Sequence, residues 1–149
     1  MSIKNNRGVI ALEFLMVFPM IMAIIYGAAG YGVLFYNKYQ MQVAVDRAAS
    51  AVFSLDRREY ATFSDGAVTH SSEVLAALSA RLPAVTADHL SIRECKRVDH
   101  GGAGGVQLLE CVLVADPGDS SFMPQVRFPG VGAFPPMPSQ LTARSSIAF

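Results

Sequence analysis

The chain has 149 residues, of which twelve are basic and twelve acidic, so its formal net charge is zero. Without a basic stripe or an acidic tail, this charge balance argues against nucleic acid as a partner. Apolar residues make up 52% of the chain and charged residues 16%, and the apolar excess lies in the N-terminal third. Removing that stretch leaves roughly 110 residues, enough for one small core. We therefore expect a single small domain joined to a membrane segment.

The N-terminal apolar run predicts a transmembrane helix over residues 9–36. Glu13 is the only formal charge between Val9 and Asn37. The run would form about 42 Å of helix, whereas about 20 residues span the hydrocarbon of a bilayer. Tyrosines and Phe35 concentrate toward its distal end, where interfacial aromatic residues are typical. Pro19 leaves the carbonyl of Leu15 without a helical donor and predicts a bend.

The orientation of this predicted span rests on several features together. Lys4 and Arg7 precede the span, and Lys38 and Arg47 follow it, so the positive-inside rule barely separates the two orientations. The short basic segment before the span, the long domain after it and two cysteines that would pair in an oxidising compartment favour one of them. We expect the N-terminus in the cytoplasm and the rest of the chain in the periplasm.

The residues around Glu13 form the most informative motif. The segment Lys4-Asn5-Asn6-Arg7-Gly8 is followed by Val9-Ile10-Ala11-Leu12-Glu13-Phe14. An acidic residue at a membrane helix centre costs about 2.5–3.5 kcal/mol on insertion scales, so a simple anchor would avoid it. A glycine, four apolar residues and Glu-Phe behind a short basic leader resemble the processing site of type IV prepilins. With Pro19 and the small residues beyond it, the segment most resembles the TadE/TadF family of minor pseudopilins of the Tad (tight-adherence, Flp-type, type IVb) pilus.

The resemblance implies roles for the residues of this motif. A prepilin peptidase would cut the Gly8–Val9 bond on the cytoplasmic side, while Lys4 and Arg7 hold the leader, residues 1–8, at that face. Cleavage would give Val9 a new α-amine. Glu13 would lie near the positive end of the helix dipole and pair with that amine on a neighbouring subunit. The alternative is an interfacial Glu13 that merely extends its carboxylate toward water.

The resemblance also implies partners and a location. The chain would be an inner-membrane protein whose partners are membrane lipid, the prepilin peptidase, other pilins or pseudopilins and the Tad platform proteins. It would act in pilus biogenesis, adhesion or secretion, without an enzymatic activity or a cofactor. Phe14 replaces the tyrosine of the short major pilins, and a long domain follows the helix, so a minor component is expected. Whether it enters the filament stays open.

Beyond the predicted span, the fold is expected to be α+β, with a periplasmic domain at 54–149. The helix should continue to about residue 53, because apolar residues recur there at helical spacing. These residues are Met41, Val45, Ala48, Ala49 and Val52. Residues 54–72 read as polar and irregular. A second, short helix is predicted from Ser72–Glu73, with Leu75, Leu78 and Leu82 on its apolar face and Pro83 near its end.

Two strands, Leu90 to Val98 and Val106 to Val114, flank a glycine-rich segment. A hairpin centred on Ala103 places Cys95 and Cys111 at equal distances from its centre, hence opposite each other. Opposed Cα atoms lie about 4.5–5.5 Å apart, within the range of a disulfide. The sequence therefore predicts a disulfide that contributes roughly 3 kcal/mol to stability.

The C-terminal third predicts a covering loop and a last strand. Six prolines occur between Asp116 and Pro138, which favours an extended segment; a partner-docking surface is the alternative. Alternation from Leu141 to Phe149 predicts a third strand of an antiparallel sheet.

Other classes of protein fit the sequence less well. His70, His89 and His100 are scattered, so no zinc site is expected, and the glycine-rich segment lacks the Lys-Ser/Thr of a phosphate-binding loop. The main rival is a signal-anchored periplasmic envelope or binding protein, cut near Gly27-Ala28-Ala29 or not at all. A signal peptide, however, has an apolar stretch of only about 7–15 residues. A pseudopilin of a type II secretion system would instead carry Phe-Thr-Leu-x-Glu after the cut.

Overall fold

The computed structural model describes residues 7–58, 60, 62–100, 106–117, 122–130 and 132–148. Its helical elements are α1 (Arg7–Ser50), a 3-10 turn (Ala51–Ser54), α2 (Phe63–Ser79) and α3 (Ala84–Ala87). Its strands are β1 (Leu90–His100), β2 (Val106–Ala115), β3 (Val126–Phe128), β4 (Gly132–Phe134) and β5 (Leu141–Ala148). Strands β1, β2 and β5 form an antiparallel sheet in the order β1-β2-β5, and β3 pairs with β4 in a separate hairpin. The predicted α+β fold is confirmed.

Helix α1 is the longest element, with 44 residues and a length of about 66 Å. It runs without interruption through Pro19 and through residue 36. No change of secondary structure therefore marks the predicted end of the membrane span, and the domain boundaries stay predictions.

The C-terminal part of α1 and the 3-10 turn after it supply the apolar stripe of the core. The five residues of the predicted stripe are at most 1% exposed, whereas Asp46, Arg47 and Ser50 on the other side of the helix are exposed. Burying a side chain such as Met41 contributes about 1.5–3 kcal/mol. The predicted stripe is confirmed, and the surface that covers it is the sheet together with α2.

The sheet places one face on α1 and α2. Residues of this face are at most 7% exposed: Cys95, Leu109, Cys111, Leu113, Leu141 and Ala143. Cys95 is opposite Cys111 in the β1–β2 register, as the hairpin centred on Ala103 predicts. The glycine-rich tip itself, at 101–105, lies outside the described residues. Strand β5 pairs with β2, so the predicted last strand completes a three-stranded sheet with β2 at its centre.

Helix α2 corrects the prediction that residues 54–72 are irregular. The helix begins at Phe63, well before the predicted start at Ser72–Glu73. Its buried residues recur every fourth position and are mostly small: Ala67, Ser71, Leu75 and Ser79. Alanine and serine do not stand out as an apolar stripe, although they allow two helices to approach closely. Arg93 and Arg97 of β1 donate hydrogen bonds to the hydroxyls of Ser79 (3.1 Å) and Ser64 (3.2 Å), which fixes α2 against the sheet.

The proline-rich segment is not simply extended. It contains the β3–β4 hairpin, whose chain reversal uses Gly130 at φ 81° and Gly132 at φ 99°. These left-handed conformations are costly for residues with a Cβ. The hairpin and its flanks lie against α1, so the segment does cover the helix, as predicted, but through a defined turn.

Candidate functional site

The predicted cleavage motif lies at the very start of α1. Gly8 and Val9 fall in the first turn, directly after Arg7. First-turn amides have no helical acceptor, so this is the part of the helix whose backbone is easiest to unwind. Lys4 lies outside the described residues. Nothing in the structure tests cleavage of the Gly8–Val9 bond, which stays a prediction.

Glu13 lies in the second turn of α1, on an apolar surface. Its side chain is exposed, and its helical neighbours Met16 and Val17 are 73% and 48% exposed. Among side chains that the structure describes, the ion pairs are Lys96–Glu94 and Arg144–Glu110, and neither involves Glu13. The single chain thus presents a carboxylate to its surroundings near the N-terminal end of an exposed apolar surface.

Helix α1 is exposed over most of its first half. All residues from Ala11 to Tyr26 are exposed, and the large apolar side chains from Leu12 to Ile25 have between 45% and 73% of their surface accessible. Soluble monomers rarely expose so large an apolar surface. By length and composition, this helix is able to cross a membrane. It is a candidate membrane anchor and a surface on which other apolar helices can pack.

The proline-rich segment contacts the middle of α1 through two hydrogen bonds and close packing. This contact is called the clasp below. The hydroxyl of Tyr26 donates to the carbonyl oxygen of Pro124 at 2.6 Å, and that of Tyr31 donates to the carbonyl oxygen of Pro136 at 2.9 Å. Between these tyrosines, Gly27 and Gly30 are buried. The clasp thus covers α1 inside the span predicted from hydropathy.

The two buried glycines allow the close approach of the clasp. A Cβ added at Gly27 would lie 3.3 Å from the ring of Phe134, and one at Gly30 would lie 3.3 Å from both Pro135 and Met137. A Cβ at Gly32, by contrast, would meet nothing within 4 Å. Sequence reasoning missed this contact, because it joins residues about a hundred positions apart and leaves no periodic signal.

The predicted disulfide is present. Cys95 and Cys111 are joined with an S–S distance of 2.02 Å, and their Cα atoms are 4.0 Å apart, closer than the predicted separation. Cys111 is fully buried and Cys95 is 7% exposed. The bond links β1 to the central strand, on the sheet face that carries the core. Its role is structural.

The described residues include no group of three or more His, Cys, Asp and Glu side chains able to hold a metal ion. His70 lies on α2, His89 lies just before β1 and His100 ends β1, so the three histidines belong to separate elements.

Comparison with known proteins identifies the N-terminal region. No curated protein and no solved structure matches the chain. Residues 8–50 match the family described as TadE-like protein, a range that includes Gly8, Val9, Glu13 and nearly all of α1. The resemblance predicted from the leader and Glu13 is therefore confirmed over residues 8–50, and the chain is similar there to the TadE-like proteins, which supports a protein associated with the Tad pilus.

Proposed function

We propose that this chain is a minor pseudopilin of a Tad (type IVb) pilus assembly system. A prepilin peptidase processes it at Gly8–Val9, α1 holds it in the inner membrane, and its C-terminal domain lies in the periplasm. One observation carries the proposal. The TadE-like match over residues 8–50 covers the exposed apolar part of α1 and Glu13, which is the only carboxylate in that part. The domain that follows is too long for a bulk filament subunit of this pilus type.

The exposure of Glu13 supports a role in assembly. A carboxylate held in lipid costs free energy that a nearby cation offsets. After cleavage, the α-amine of Val9 supplies such a cation, and a neighbouring subunit brings it to Glu13 when two helices pack side by side. The exposed apolar surface from Leu12 to Ile25 provides the contact area for that packing.

The disulfide supports the orientation. Disulfides persist in oxidising compartments and are rare in the cytosol. A Cys95–Cys111 bond inside the core of the small domain therefore favours a periplasmic location for that domain. With α1 as the anchor, the leader residues Lys4 and Arg7 then lie in the cytoplasm, where the peptidase acts.

Coexpression with a prepilin peptidase tests the proposal. We expect N-terminal sequencing and intact mass to show a mature chain that begins at Val9. Gly8→Ala should slow processing and Gly8→Leu should abolish it, because a side chain at the cut site obstructs entry into the enzyme cleft. Gly32→Ala is the matched control, since no atom lies within 4 Å of its new Cβ, and it should be processed normally.

Two results would overturn the proposal. An unprocessed chain in the presence of active peptidase would favour a signal-anchored envelope protein. A chain beginning at Gly30 would show cleavage by a signal peptidase, and it would lack Tyr26 and Gly27 of the clasp.

A further inference from the structure

The position of the β3–β4 hairpin along α1 points to a second membrane contact. We propose that the clasp segment, defined as residues 122–130 and 132–138, is an interfacial anchor that lies in the lipid headgroup layer beside α1. This inference rests on the proposed insertion of α1 into the membrane. The occupant of the exposed side of the clasp segment is then lipid, and not another protein.

The depth of the clasp follows from helix geometry. A hydrocarbon layer of about 30 Å takes about 20 helical residues. Counted from Val9, which would be the first residue of the mature chain, those residues end near Ala28. The clasp contacts α1 at Tyr26, Gly27, Gly30 and Tyr31, on both sides of that level. If α1 spans the membrane, the clasp segment therefore lies at the boundary between hydrocarbon and headgroups.

The composition of the segment suits this layer. Between Asp119 and Arg144 the only formal charge is Arg127, which is exposed. Val126 beside it is 50% exposed. An apolar stretch with one cation fits an interface with anionic lipid, where each basic residue near the surface contributes about 1 kcal/mol of attraction.

The backbone of the segment also has fewer polar groups that need water as a hydrogen-bond partner than its length alone would give. Unpaired N–H and C=O groups cost several kcal/mol in lipid. Proline has no N–H to satisfy, and the segment contains five prolines: Pro124, Pro129, Pro135, Pro136 and Pro138. Tyr26 and Tyr31 donate to the carbonyls of Pro124 and Pro136, and the side-chain amide of Gln125 donates to that of Pro135 at 2.7 Å. Three carbonyl groups thus have partners within the protein.

A single-tryptophan experiment tests the proposal directly, because the chain contains no tryptophan. The probe is Val126→Trp in the full chain, reconstituted in vesicles whose phospholipids carry bromine either near the headgroup or at the chain end. Ile21→Trp, within the exposed part of α1, reports whether the helix is inserted. Val106→Trp, at a position on β2 that is 58% exposed, is the control for an exposed apolar site outside the clasp.

We expect Ile21→Trp emission to be quenched strongly by chain-end bromine. Val126→Trp should shift to shorter wavelength and lose more emission to headgroup-proximal than to chain-end bromine, while Val106→Trp stays unquenched.

A Val126→Trp protein that behaves like Val106→Trp while Ile21→Trp is quenched would overturn the inference and leave the membrane insertion intact. A blue-shifted but unquenched Val126→Trp would place the hairpin against protein and also overturn it. Absence of quenching at Ile21→Trp would remove the proposed function together with this inference.

Charge reversal provides the second measurement. Adding Arg127→Glu to the Val126→Trp chain should reduce quenching in vesicles rich in anionic lipid and change it little in zwitterionic vesicles. Arg81→Glu, an exposed position next to α2, is the matched control and should change neither. Equal effects of the two reversals would show that Arg127 does not contact headgroups.

Discussion

The N-terminal half of α1 is richer in apolar residues than the C-terminal half, and the two have opposite surroundings. From Ala11 to Tyr26 the helix is exposed on every side, whereas from Met41 to Val52 one stripe is buried and the other side carries Asp46 and Arg47. A helix that is apolar all round requires lipid or other helices, and a helix with one apolar stripe requires a domain. Both the number of apolar residues and their distribution around the axis therefore separate the candidate anchor from the core.

The clasp lies between the exposed part of α1 and the part that packs into the core. Over Tyr26 to Tyr31 the helix meets its own proline-rich segment. Small residues there accept protein contacts within a stretch that hydropathy alone assigns entirely to the membrane. A single helix thus has three environments in sequence, and variants in each should respond differently.

The largest contrast is expected between two methionines of α1. Met41 is fully buried and Met20 is 67% exposed. Met41→Ala should lower the free energy of unfolding by about 2–5 kcal/mol, because it removes buried methylenes and leaves a cavity. Met20→Ala should change it by less than about 0.5 kcal/mol. Pulse proteolysis of the full chain in urea, in detergent micelles, measures both, and equal losses would show that the two halves do not differ as described.

The disulfide should rank next. Replacing both cysteines by alanine, Cys95→Ala with Cys111→Ala, should lower the free energy of unfolding by about 3 kcal/mol, since the bond restricts the unfolded chain. Reduction of the wild-type protein should produce a loss of similar size in the same assay. Quantitative alkylation of native, unreduced protein at both cysteines would contradict the bond itself.

Substitutions of Glu13 test the role of the exposed part of α1 in assembly. Under the proposed function, Glu13→Gln and Glu13→Leu should still be processed, because a prepilin peptidase would recognise Gly8 and the leader. Assembly should fall about tenfold or more, since even 1.4 kcal/mol of lost pairing is tenfold in an association constant. Recovery of sheared pili, normalised to membrane levels, measures it, with the exposed Glu73→Gln on α2 as control. Wild-type piliation by Glu13→Leu would mean that the carboxylate only extends toward water.

The smallest expected effect concerns two glycines near the clasp. Gly30→Ala places a Cβ 3.3 Å from Pro135 and Met137, whereas Gly32→Ala meets nothing within 4 Å. Overpacking of a close contact costs about 1 kcal/mol or somewhat more, so Gly30→Ala should speed hydrogen exchange of the β3 amides. Gly32→Ala should leave those amides unchanged. Identical exchange in both variants would indicate that the clasp is not held by this approach.

Residue patterns predict those parts of the molecule whose signals are local or symmetric. The apolar run, the stripe from Met41 to Val52 and the opposition of Cys95 and Cys111 each follow from spacing alone. Gly8, Val9 and Glu13 emerge from the N-terminal motif and the family match, and their roles in processing and assembly stay proposals. Lys4 stays a sequence prediction, since it lies outside the described residues.

Tertiary structure decides what spacing does not encode. Helix α2 begins at Phe63, and its first turns bury Ala67 and Ser71 completely, although neither residue marks an apolar stripe in the sequence. The β3–β4 hairpin packs onto α1 at Gly27 and Gly30. Hydrogen bonds on either side of it join Tyr26 to Pro124 and Tyr31 to Pro136, which are separated in the sequence by 98 and 105 positions. Local periodicity reports the face that a segment must bury, and the amino-acid sequence determined that much. Which distant surface covers that face depends on shape and on unpaired backbone carbonyls, and these become defined only when the chain is folded.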